Sequence, residues 1–464
     1  MLSLKEKLAY GLGAVGKDMV YMLSASYVLY YYQDVLGVSA VAMGMILLIA
    51  RIFDAFNDPV MGVIVAKTKS RFGKFRFWLL VGTVTNAVIL YLMFACPPKL
   101  NGTGLVAYAA VFYIIWGVTY TMMDIPYWSM IPAFTNGGKE REGLTTLARS
   151  CAGVGSAIIT IFTMMLVHAL GGNNEKEGFK YLALIVAILF VVFICITVFT
   201  IKEKSSVDLE TPSVGTMFKA LIHNDQAMTV VIAIVLINCA VYITSNLVIY
   251  FFKYDFGGTN WYGSYTLFNM FGGAVQIISM MFLYSLLRKF FSNIQIFNIC
   301  LGFAIIGYAA LLGIAFTSMN NVIVLFIPGF FIFAANGILQ VLTTVFLANT
   351  VDYGQLKTGR RDESVIFSMQ TFVVKLASGI AAFIASICLS LNNLKSDTDV
   401  TEAEAVIDFS KNVSNASRIG LRTTMTVIPI IGLIVALIWF RKKFILTDKK
   451  IEEISVQVNN MNQL

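Results

Sequence analysis

Four carboxylates lie inside apolar stretches of the sequence, where a charged side chain is unusual. They are Asp18, Asp54, Asp58 and Asp124, and one basic residue, Lys375, lies in another apolar stretch far along the chain. A charge near the centre of a membrane helix costs roughly 2.5 to 3.5 kcal/mol on insertion scales. Chains keep such residues where they face a cavity, a partner or a transported ion. The pattern therefore predicts ion-linked transport across a membrane.

The spacing of two of these acids predicts an oxygen-rich face on one helix. In the segment ARIFDAFNDP, Asp54 and Asp58 are four residues apart and share a helical face, and Asn57 adds an amide oxygen at its edge. In TYTMMDIPYW, Thr121 and Asp124 are three residues apart. Hard cations prefer oxygen ligands of this kind. The two segments together predict a site for a cation such as Na⁺.

A purely structural role is the alternative for these acids. They would then pair with Arg51, Arg149 and Lys375 and only hold the helices together. Four acids in three apolar segments leave residual negative charge in the membrane, which is costly unless it is used. We therefore favour ligand binding.

Asp18 and Trp128 have the chemistry of a sugar site. Asp18 is adjacent to Lys17 in GKDMVY, so the two side chains are expected to point in different directions. A carboxylate accepts strong, charge-assisted hydrogen bonds from sugar hydroxyls, and the Trp128 ring offers a face to the apolar side of a pyranose. The alternatives are an ion pair from Asp18 to Arg149, and a role for Trp128 as an interfacial anchor.

The composition indicates a polytopic all-α membrane protein. Of 464 residues, 58% are hydrophobic and 13% charged, with a mean hydropathy of +0.77, whereas a soluble domain carries about 25% charged residues. The formal net charge of +8 fits an excess of Lys and Arg on the cytoplasmic side and does not require nucleic acid. Twelve apolar segments are long enough to cross a bilayer. They are 8–31, 39–66, 77–97, 104–133, 144–170, 179–201, 226–252, 262–287, 294–316, 322–350, 364–391 and 419–440.

The polar segment 202–225 divides these segments six and six. We expect an N-terminal bundle over 1–201, a cytoplasmic linker, a C-terminal bundle over 226–440 and a cytoplasmic tail over 441–464. No residue-level repeat between the halves is apparent. The distribution of Lys and Arg places both termini in the cytoplasm. The six cysteines are widely spaced without a CxxC motif, which predicts neither a disulfide framework nor a metal cluster.

Several long segments resemble those of the glycoside–pentoside–hexuronide:cation symporters. These segments are GLGAVGKD, YYYQDVLG, ARIFDAFNDPVMG, SRFGKFRFW, WGVTYTMMDIPYWS, NTVDYGQLKTGRRDES and QTFVVK. The resemblance spans nearly the whole chain. It implies a major facilitator fold, in which two six-helix bundles rock around a central site of a single functional monomer in the cell membrane. It also implies sugar uptake driven by co-transported Na⁺, Li⁺ or H⁺ without any cofactor.

The resemblance also implies roles for individual residues. It places Asp54, Asn57, Asp58 and Thr121 in a cation pocket, and Asp124 close to both cation and sugar. It places Lys375 opposite these acids, as their charge-balancing partner. The sugar-site positions are Asp18, Tyr120, Asp124, Trp128, Arg149, Gln370 and Thr371, and the cytoplasmic gate positions are Arg141, Asp352 and Arg361.

Two positions depart from the family pattern. Gly337 stands near GILQV, where a related member has a tryptophan that lines the sugar site, and Asn349 replaces an acid before TVDYG. A missing aromatic wall predicts a preferred glycoside, pentoside or hexuronide other than melibiose. The second change bears on the detail of the cytoplasmic gate.

Two other functional classes are compatible with parts of the sequence. The DxxxD spacing of Asp54 and Asp58 also occurs where membrane prenyltransferases bind Mg²⁺–diphosphate, although the second half has one Asp, in NTVDYG, instead of a second Asp-rich motif. A transporter-like sensor or an uncoupled sugar facilitator is the other alternative. The complete set of cation-site residues argues against it.

Overall fold

The computed structural model describes most of the chain. The described residues are 2–134, 138–172, 174–201, 215, 219, 222–317, 319, 321–358, 363–394 and 408–463. They form two compact units, of which the first holds the helices before residue 201 and the second those after residue 224. The cytoplasmic placement of 202–225 stays a prediction, because nearly all of that segment lies outside the described residues.

Six long helices form the first unit. They are α1 (Leu4–Tyr30), α2 (Ala40–Lys67), α3 (Lys74–Phe94), α4 (Thr103–Phe134), α5 (Gly138–Gly171) and α6 (Glu175–Thr200). The start of α1 is fixed by a capping box, in which the Ser3 side chain accepts from the backbone N–H of Glu6 and the Glu6 carboxylate accepts from the backbone N–H of Ser3. This arrangement satisfies two N–H groups that a helix start otherwise leaves without partners.

The second unit contains six further long helices and a C-terminal one. They are α7 (Asp225–Tyr250), α8 (Trp261–Ile278), α9 (Asn293–Ala315), α10 (Val322–Thr358), α11 (Glu363–Leu391), α12 (Asn415–Lys443) and α13 (Asp448–Gln463). Helix α8 continues through a π-helical turn, Ser279–Leu283, to Leu287. A short 3₁₀ helix, Phe409–Asn412, precedes α12.

Eleven helices in the described part of the chain are long and apolar enough to cross a membrane. Helix α1 is not among the eleven, because Lys17, Asp18 and several glycines and tyrosines lie in its middle. It nevertheless has 27 residues, and a helix of that length is about 40 Å long, more than the hydrocarbon thickness of ~30 Å. With α1 included, the twelve predicted membrane helices are confirmed.

The ends of α1 and α7 repeat one another in local structure, although the sequence shows no residue-level repeat between the halves. Both helices widen into a π-helical turn, Tyr31–Val35 in YYYQDVLG and Phe251–Phe256 in YFFKYDFG. A glycine with positive φ follows each turn within two residues, with +74° at Gly37 and +72° at Gly257, a backbone region that favours glycine. The repeat is hard to see in the sequence because the two segments share an aromatic pattern and few identities.

The C-terminal segment folds back onto the second unit, where the sequence predicted a simple tail. Helix α13 places Ile454 in the apolar core of this unit, with Leu446 fully buried just before it. The Asp448 carboxylate accepts from Arg288 at 2.7 Å. These contacts order the chain as far as α13, because the apolar face of an amphipathic helix is stabilised when it is buried.

Candidate functional site

The four sequence-predicted acids all lie in the first unit, on three of its helices. Asp18 lies in the middle of α1, Asp54 and Asp58 in α2, and Asp124 in α4. Asp54 is buried, and the other three are half-buried. Glycines at two points of α1 let neighbouring helices approach closely, since a Cβ on Gly16 would lie 3.2 Å from the Cα of Phe190 in α6. Helix α1 is therefore tightly held, and its charged residues have defined positions.

Lys17 is a site residue that the sequence did not reveal. Its side chain is only 4% exposed, and its ammonium lies 2.9 Å from Asp124 Oδ1 and 3.5 Å from Asp18 Oδ1. The same ammonium is 3.4 Å from the hydroxyl oxygen of Tyr120. A buried cation is stable only when it is paired, so Lys17 joins α1 and α4 through their acids. Asp18 pairs with Lys17 here, and the alternative pairing of Asp18 with Arg149 is wrong.

Two cationic side chains lie close to the Trp128 ring. The Arg149 guanidinium lies 4.0 Å from the centre of the Trp128 ring, and the Lys17 ammonium lies 5.0 Å from it. Cations at these distances are attracted by the negative face of an indole ring. Arg149 is exposed, and no carboxylate among the described residues pairs with it. The interfacial-anchor alternative for Trp128 does not account for these two contacts.

Asp54 is held by a basic residue on its own helix. Arg51 donates to Asp54 Oδ2 at 3.2 Å, and both side chains are buried. The Arg51 guanidinium also lies 5.7 Å from the Tyr21 ring and 5.9 Å from the Tyr113 ring. Gly117 of α4 makes room for the acid, since a Cβ there would lie 2.6 Å from Asp54 Oδ1. The structural pairing of Asp54 with Arg51, which we had considered as an alternative, is therefore present.

Asp58 and Thr121 are brought together as the sequence suggested. The Thr121 hydroxyl donates to Asp58 Oδ1 at 3.0 Å and so joins α4 to α2. Beside Asp58 in sequence, the Asn57 amide nitrogen is buried and has no hydrogen-bond partner among the described residues. Rotation of the amide by 180° would present its oxygen in the same place. A buried amide without a partner, one residue from a carboxylate that a hydroxyl contacts, is compatible with a cation ligand set.

The predicted cation pocket is not assembled in full. Across the described residues, no three His, Cys, Asp or Glu side chains converge on one point. Asp58 and Thr121 are in contact, whereas Asp54 is directed to Arg51 and Asp124 to Lys17. A monovalent cation needs fewer charged ligands than such a cluster supplies, because amide and hydroxyl oxygens complete its shell.

The second unit carries the remaining predicted residues. Gln370 of α11 donates to the Thr344 hydroxyl of α10 at 3.3 Å, and Thr371 is exposed. Lys375 is half-buried one turn further along α11. Its predicted pairing with the acids stays a prediction. Of the gate residues, Asp352 is half-buried in α10, while the side chains of Arg141 and Arg361 lie outside the described part of the chain.

Gly337 is packed against a neighbouring helix, which argues against its predicted place beside the sugar, and the preference for a sugar other than melibiose stays a prediction. It is buried in α10 against α8, where a Cβ would lie 2.4 Å from the backbone oxygen of Gln276. A side chain at this position would be directed into the neighbouring helix. The exposed side chain of Gln340, one turn later in α10, was not singled out, because sequence alone does not fix the rotation of a helix about its axis.

Comparison with known proteins gives a consistent picture. The sequence pattern of the family described as MFS/sugar transport protein matches residues 9–448. A symporter of Bacillus subtilis, described as uncharacterized, is 29% identical over 97% of this chain and 94% of its own. The raffinose carrier protein of Pediococcus pentosaceus is 27% identical over 97% of this chain and 71% of its own. The isoprimeverose transporter of Lactiplantibacillus pentosus is 28% identical over 84% of this chain and 81% of its own.

The fold is also shared with solved transporters. The xylose transporter of Escherichia coli, in a partially occluded inward-open conformation, has a TM-score of 0.57 at 15% identity and covers 96% of this chain and 98% of its own. A bacterial homologue of the human lysosomal transporter Spinster has a TM-score of 0.66 at 12% identity and covers 97% of each chain. At these identities the likeness shows the fold alone. It is the major facilitator fold of two six-helix bundles that the sequence predicted.

Proposed function

Because this chain belongs to the MFS/sugar transport protein family, we propose that it is a symporter. In this proposal the entry of a monovalent cation drives the uptake of a glycoside, pentoside or hexuronide. It is a multi-pass membrane transporter, and the prenyltransferase alternative is wrong, since the family and the named relatives are transporters. The relatives include proteins named for raffinose, lactose and isoprimeverose. We assign a sugar of this general kind to the present chain.

The observation that carries the proposal is the set of acidic and basic side chains that lie buried or half-buried among the apolar helices of the first unit. Lys17 pairs with Asp18 and Asp124, while Asp58 receives a hydrogen bond from Thr121. Each buried charge costs several kcal/mol, of order 2.5 to 3.5 on insertion scales, unless it is paired or used. Hydrophobic residues would hold the helices together at lower cost. We therefore infer that these charged side chains are present among the apolar helices because they bind ligands.

The proposed cation site consists of Asp58, Thr121, Asn57 and Asp54. Asp58 and Thr121 already share one hydrogen bond, and the Asn57 amide is the buried group without a partner. A cation bound to Asp58 and Thr121 draws Asn57 into its shell and competes with Arg51 for Asp54. Na⁺ is the proposed ion, with Li⁺ and H⁺ as the alternatives that the same oxygen ligands accept.

The proposed sugar site lies around Lys17 and Trp128. The carboxylates of Asp18 and Asp124 accept from sugar hydroxyls, and Lys17 and Arg149 donate to ring and hydroxyl oxygens. Tyr120, whose hydroxyl lies beside Lys17, completes this set. Gln370 and Thr371 are the proposed contributions of the second unit. Because Arg149 already covers the Trp128 ring, a pyranose that stacks on this face must displace the guanidinium.

The proposed cycle has the cation bind first. The cation neutralises part of the negative charge in the first unit and orders α2 against α4, which prepares Asp124 and Lys17 for sugar. Each ligand then tightens the other by the same coupling free energy. Lys375 balances the acids when the cation is absent. The empty and the doubly loaded forms exchange between outward and inward states by alternating access. In this proposal a monomer works in the cell membrane, among lipids, with both termini in the cytoplasm.

An uptake screen in membrane vesicles tests the proposal. Raffinose, lactose, isoprimeverose, melibiose and a methyl glucuronide are offered with inward gradients of Na⁺, Li⁺ or H⁺. We expect accumulation of at least one sugar with one gradient, and equilibration only without a gradient. Asp58→Cys should abolish accumulation and keep exchange, whereas Asp18→Asn should lose sugar affinity and keep cation binding. A gradient-independent uptake in the wild type would identify an uncoupled facilitator instead.

A further inference from the structure

Tyr10 of α1 and Tyr127 of α4 form a reciprocal pair in the interior of the first unit. The Tyr127 hydroxyl donates to the backbone oxygen of Tyr10 at 2.5 Å, and the Tyr10 hydroxyl donates to the backbone oxygen of Tyr127. The two rings are stacked, with centres 4.4 Å apart and planes 11° from parallel. Both side chains are fully buried. Two hydrogen bonds that run in opposite directions fix the axial register of two helices, because a shift of one residue breaks both.

The surrounding residues make this contact rigid. Gly13, one turn after Tyr10, allows the close approach, since a Cβ there would lie 3.1 Å from the Tyr127 ring and 2.5 Å from the Thr197 hydroxyl. Thr197 of α6 donates to the backbone oxygen of Ala9 at 2.7 Å. The part of α1 that carries Tyr10 is therefore held by α6 on another side.

The pair lies next to the proposed sugar site. Lys17 follows Tyr10 by two helical turns, and Asp124 precedes Tyr127 by one, so the ion pair and the tyrosine pair connect the same two helices. The Lys17 ammonium is 5.8 Å from the centre of the Tyr127 ring. The Tyr127 ring also meets the Trp128 ring edge to face at 5.3 Å. The Tyr127 ring thus lies close to both Lys17 and Trp128.

We propose that Tyr10 and Tyr127 are positioning residues for the sugar site. Their reciprocal hydrogen bonds set the register of α4 against α1, and this register places Asp124 within reach of Lys17 and orients Trp128. The proposal rests on the proposed function for its effect on sugar. The cation site depends less on this register, because Asn86 of α3 also holds α4. The Asn86 amide nitrogen lies 2.9 Å from the Thr119 hydroxyl and 3.0 Å from the backbone oxygen of Trp116.

Three variants test the positioning role in transport. Tyr10→Phe and Tyr127→Phe each remove one hydroxyl and keep the stacked rings, and the double variant removes both. Tyr32→Phe is the matched control, because it removes an equally buried hydroxyl bond to the backbone oxygen of Met93, at 2.7 Å, from the far end of α1. The measured quantities are KM and Vmax for the sugar that wild-type vesicles accumulate best, together with the Na⁺ concentration for half-maximal uptake.

Each single variant should raise KM for sugar by about three- to tenfold, the size expected for an interhelical hydrogen bond in a membrane. The double variant should raise it little further, since two bonds that fix one register act as a unit. In all these variants the Na⁺ concentration for half-maximal uptake should stay within twofold of the wild type. The KM of Tyr32→Phe for sugar should also stay within twofold. An unchanged KM in both singles, or a lower Vmax at unchanged KM, would overturn the proposal.

A second measurement needs no sugar and separates this proposal from the proposed function. The thermal midpoint of purified protein is recorded for Lys17→Met in the wild-type, Tyr127→Phe and Tyr32→Phe backgrounds. If the tyrosines hold Lys17 against Asp124, Lys17→Met should lower the midpoint less in the Tyr127→Phe background than in the other two. Equal shifts in all three backgrounds would contradict a positioning role. Failure of sugar uptake in the wild type would contradict the proposed function and leave this comparison valid.

Discussion

The ammonium of Lys17 lies 2.9 Å from Asp124 Oδ1 and joins α1 to α4 through an ion pair of a buried lysine and a half-buried acid. Asp18 shares the same ammonium at 3.5 Å. One cation therefore compensates two acids that come from different helices. Any ligand that hydrogen-bonds to one of these three residues also changes the electrostatic environment of the other two, which makes this group suited to linking sugar binding to charge.

Replacement of Lys17 by methionine should strongly impair the protein. Met keeps the length of the side chain and removes the charge, so the half-buried Asp18 and Asp124 are left without this partner. Loss of one member of a buried pair typically costs about 3–5 kcal/mol, and we expect sugar uptake to fall about tenfold or more. Lys180→Met, which breaks the more exposed pair with Glu177, is the control. Uptake and expression of both variants are measured, and normal uptake by Lys17→Met would contradict the assignment.

Gly117→Ala should disturb the cation site without any change in charge. The added Cβ would lie 2.6 Å from Asp54 Oδ1, so either the carboxylate is displaced or α4 moves away from α2, and both changes separate the proposed cation ligands of the two helices. We expect the Na⁺ concentration for half-maximal uptake to rise severalfold. Gly153→Ala is the matched control in the same unit, because nothing lies within 4 Å of its Cβ. If the two variants behave alike, the contact between Gly117 and Asp54 does not shape the site.

Thr121→Val should weaken cation binding selectively. Valine has the shape of threonine and cannot donate to Asp58, so the link between α4 and α2 at 3.0 Å is lost. We expect Na⁺ affinity to fall about ten- to a hundredfold, the range of one hydrogen bond to a charged group, while KM for sugar at saturating Na⁺ stays within twofold. Thr163→Val, which removes a buried hydroxyl that bonds only its own helix at Ile159, should leave both values unchanged. A larger effect on sugar than on Na⁺ would reverse the assignment of the two sites.

Gly337→Trp should destabilise the second unit, whereas the sequence alone suggested a change of substrate preference. Any side chain at Gly337 meets the backbone of α8 at Gln276, with the Cβ 2.4 Å from its oxygen. Gly337→Ala should already lower the thermal midpoint, and Gly302→Ala, which has open space around its Cβ, should not. A stable Gly337→Trp protein with a reordered sugar preference would show that this position does face the substrate.

The fold was largely predictable from the sequence, because apolar segments locate membrane helices well. The predicted segment 39–66 compares with Ala40–Lys67 in α2, whereas 322–350 falls short of Val322–Thr358 in α10. The extra turns of α10 are polar, as in VDYGQLK, and hydropathy gives no signal for a helix that continues past the membrane. The C-terminal helix α13 was missed for the same reason.

The site was predictable in its residue types and only partly in its pairing. Asp58 and Thr121 were correctly placed together, since both lie on oxygen-rich faces. Lys17 was missed because its adjacency to Asp18 was taken to separate the two residues, although a lysine side chain is long and flexible enough to reach both Asp18 and the neighbouring helix. The faces that α10 and α8 turn to each other at Gly337 depend on packing, which spacing along one helix does not determine.

The central claim is that cation binding and sugar binding are coupled in one region of the protein. Measuring the affinity for each ligand with and without the other tests this claim most directly. The dissociation constant of the best-transported sugar is measured with and without saturating Na⁺, and that of Na⁺ with and without saturating sugar, on purified protein. Linkage requires the two ratios to be equal, and we predict that both are well above one in the wild type and close to one in Asp58→Cys. Ratios of one in the wild type, with both ligands bound, would show that the two bind independently and would contradict symport through these residues.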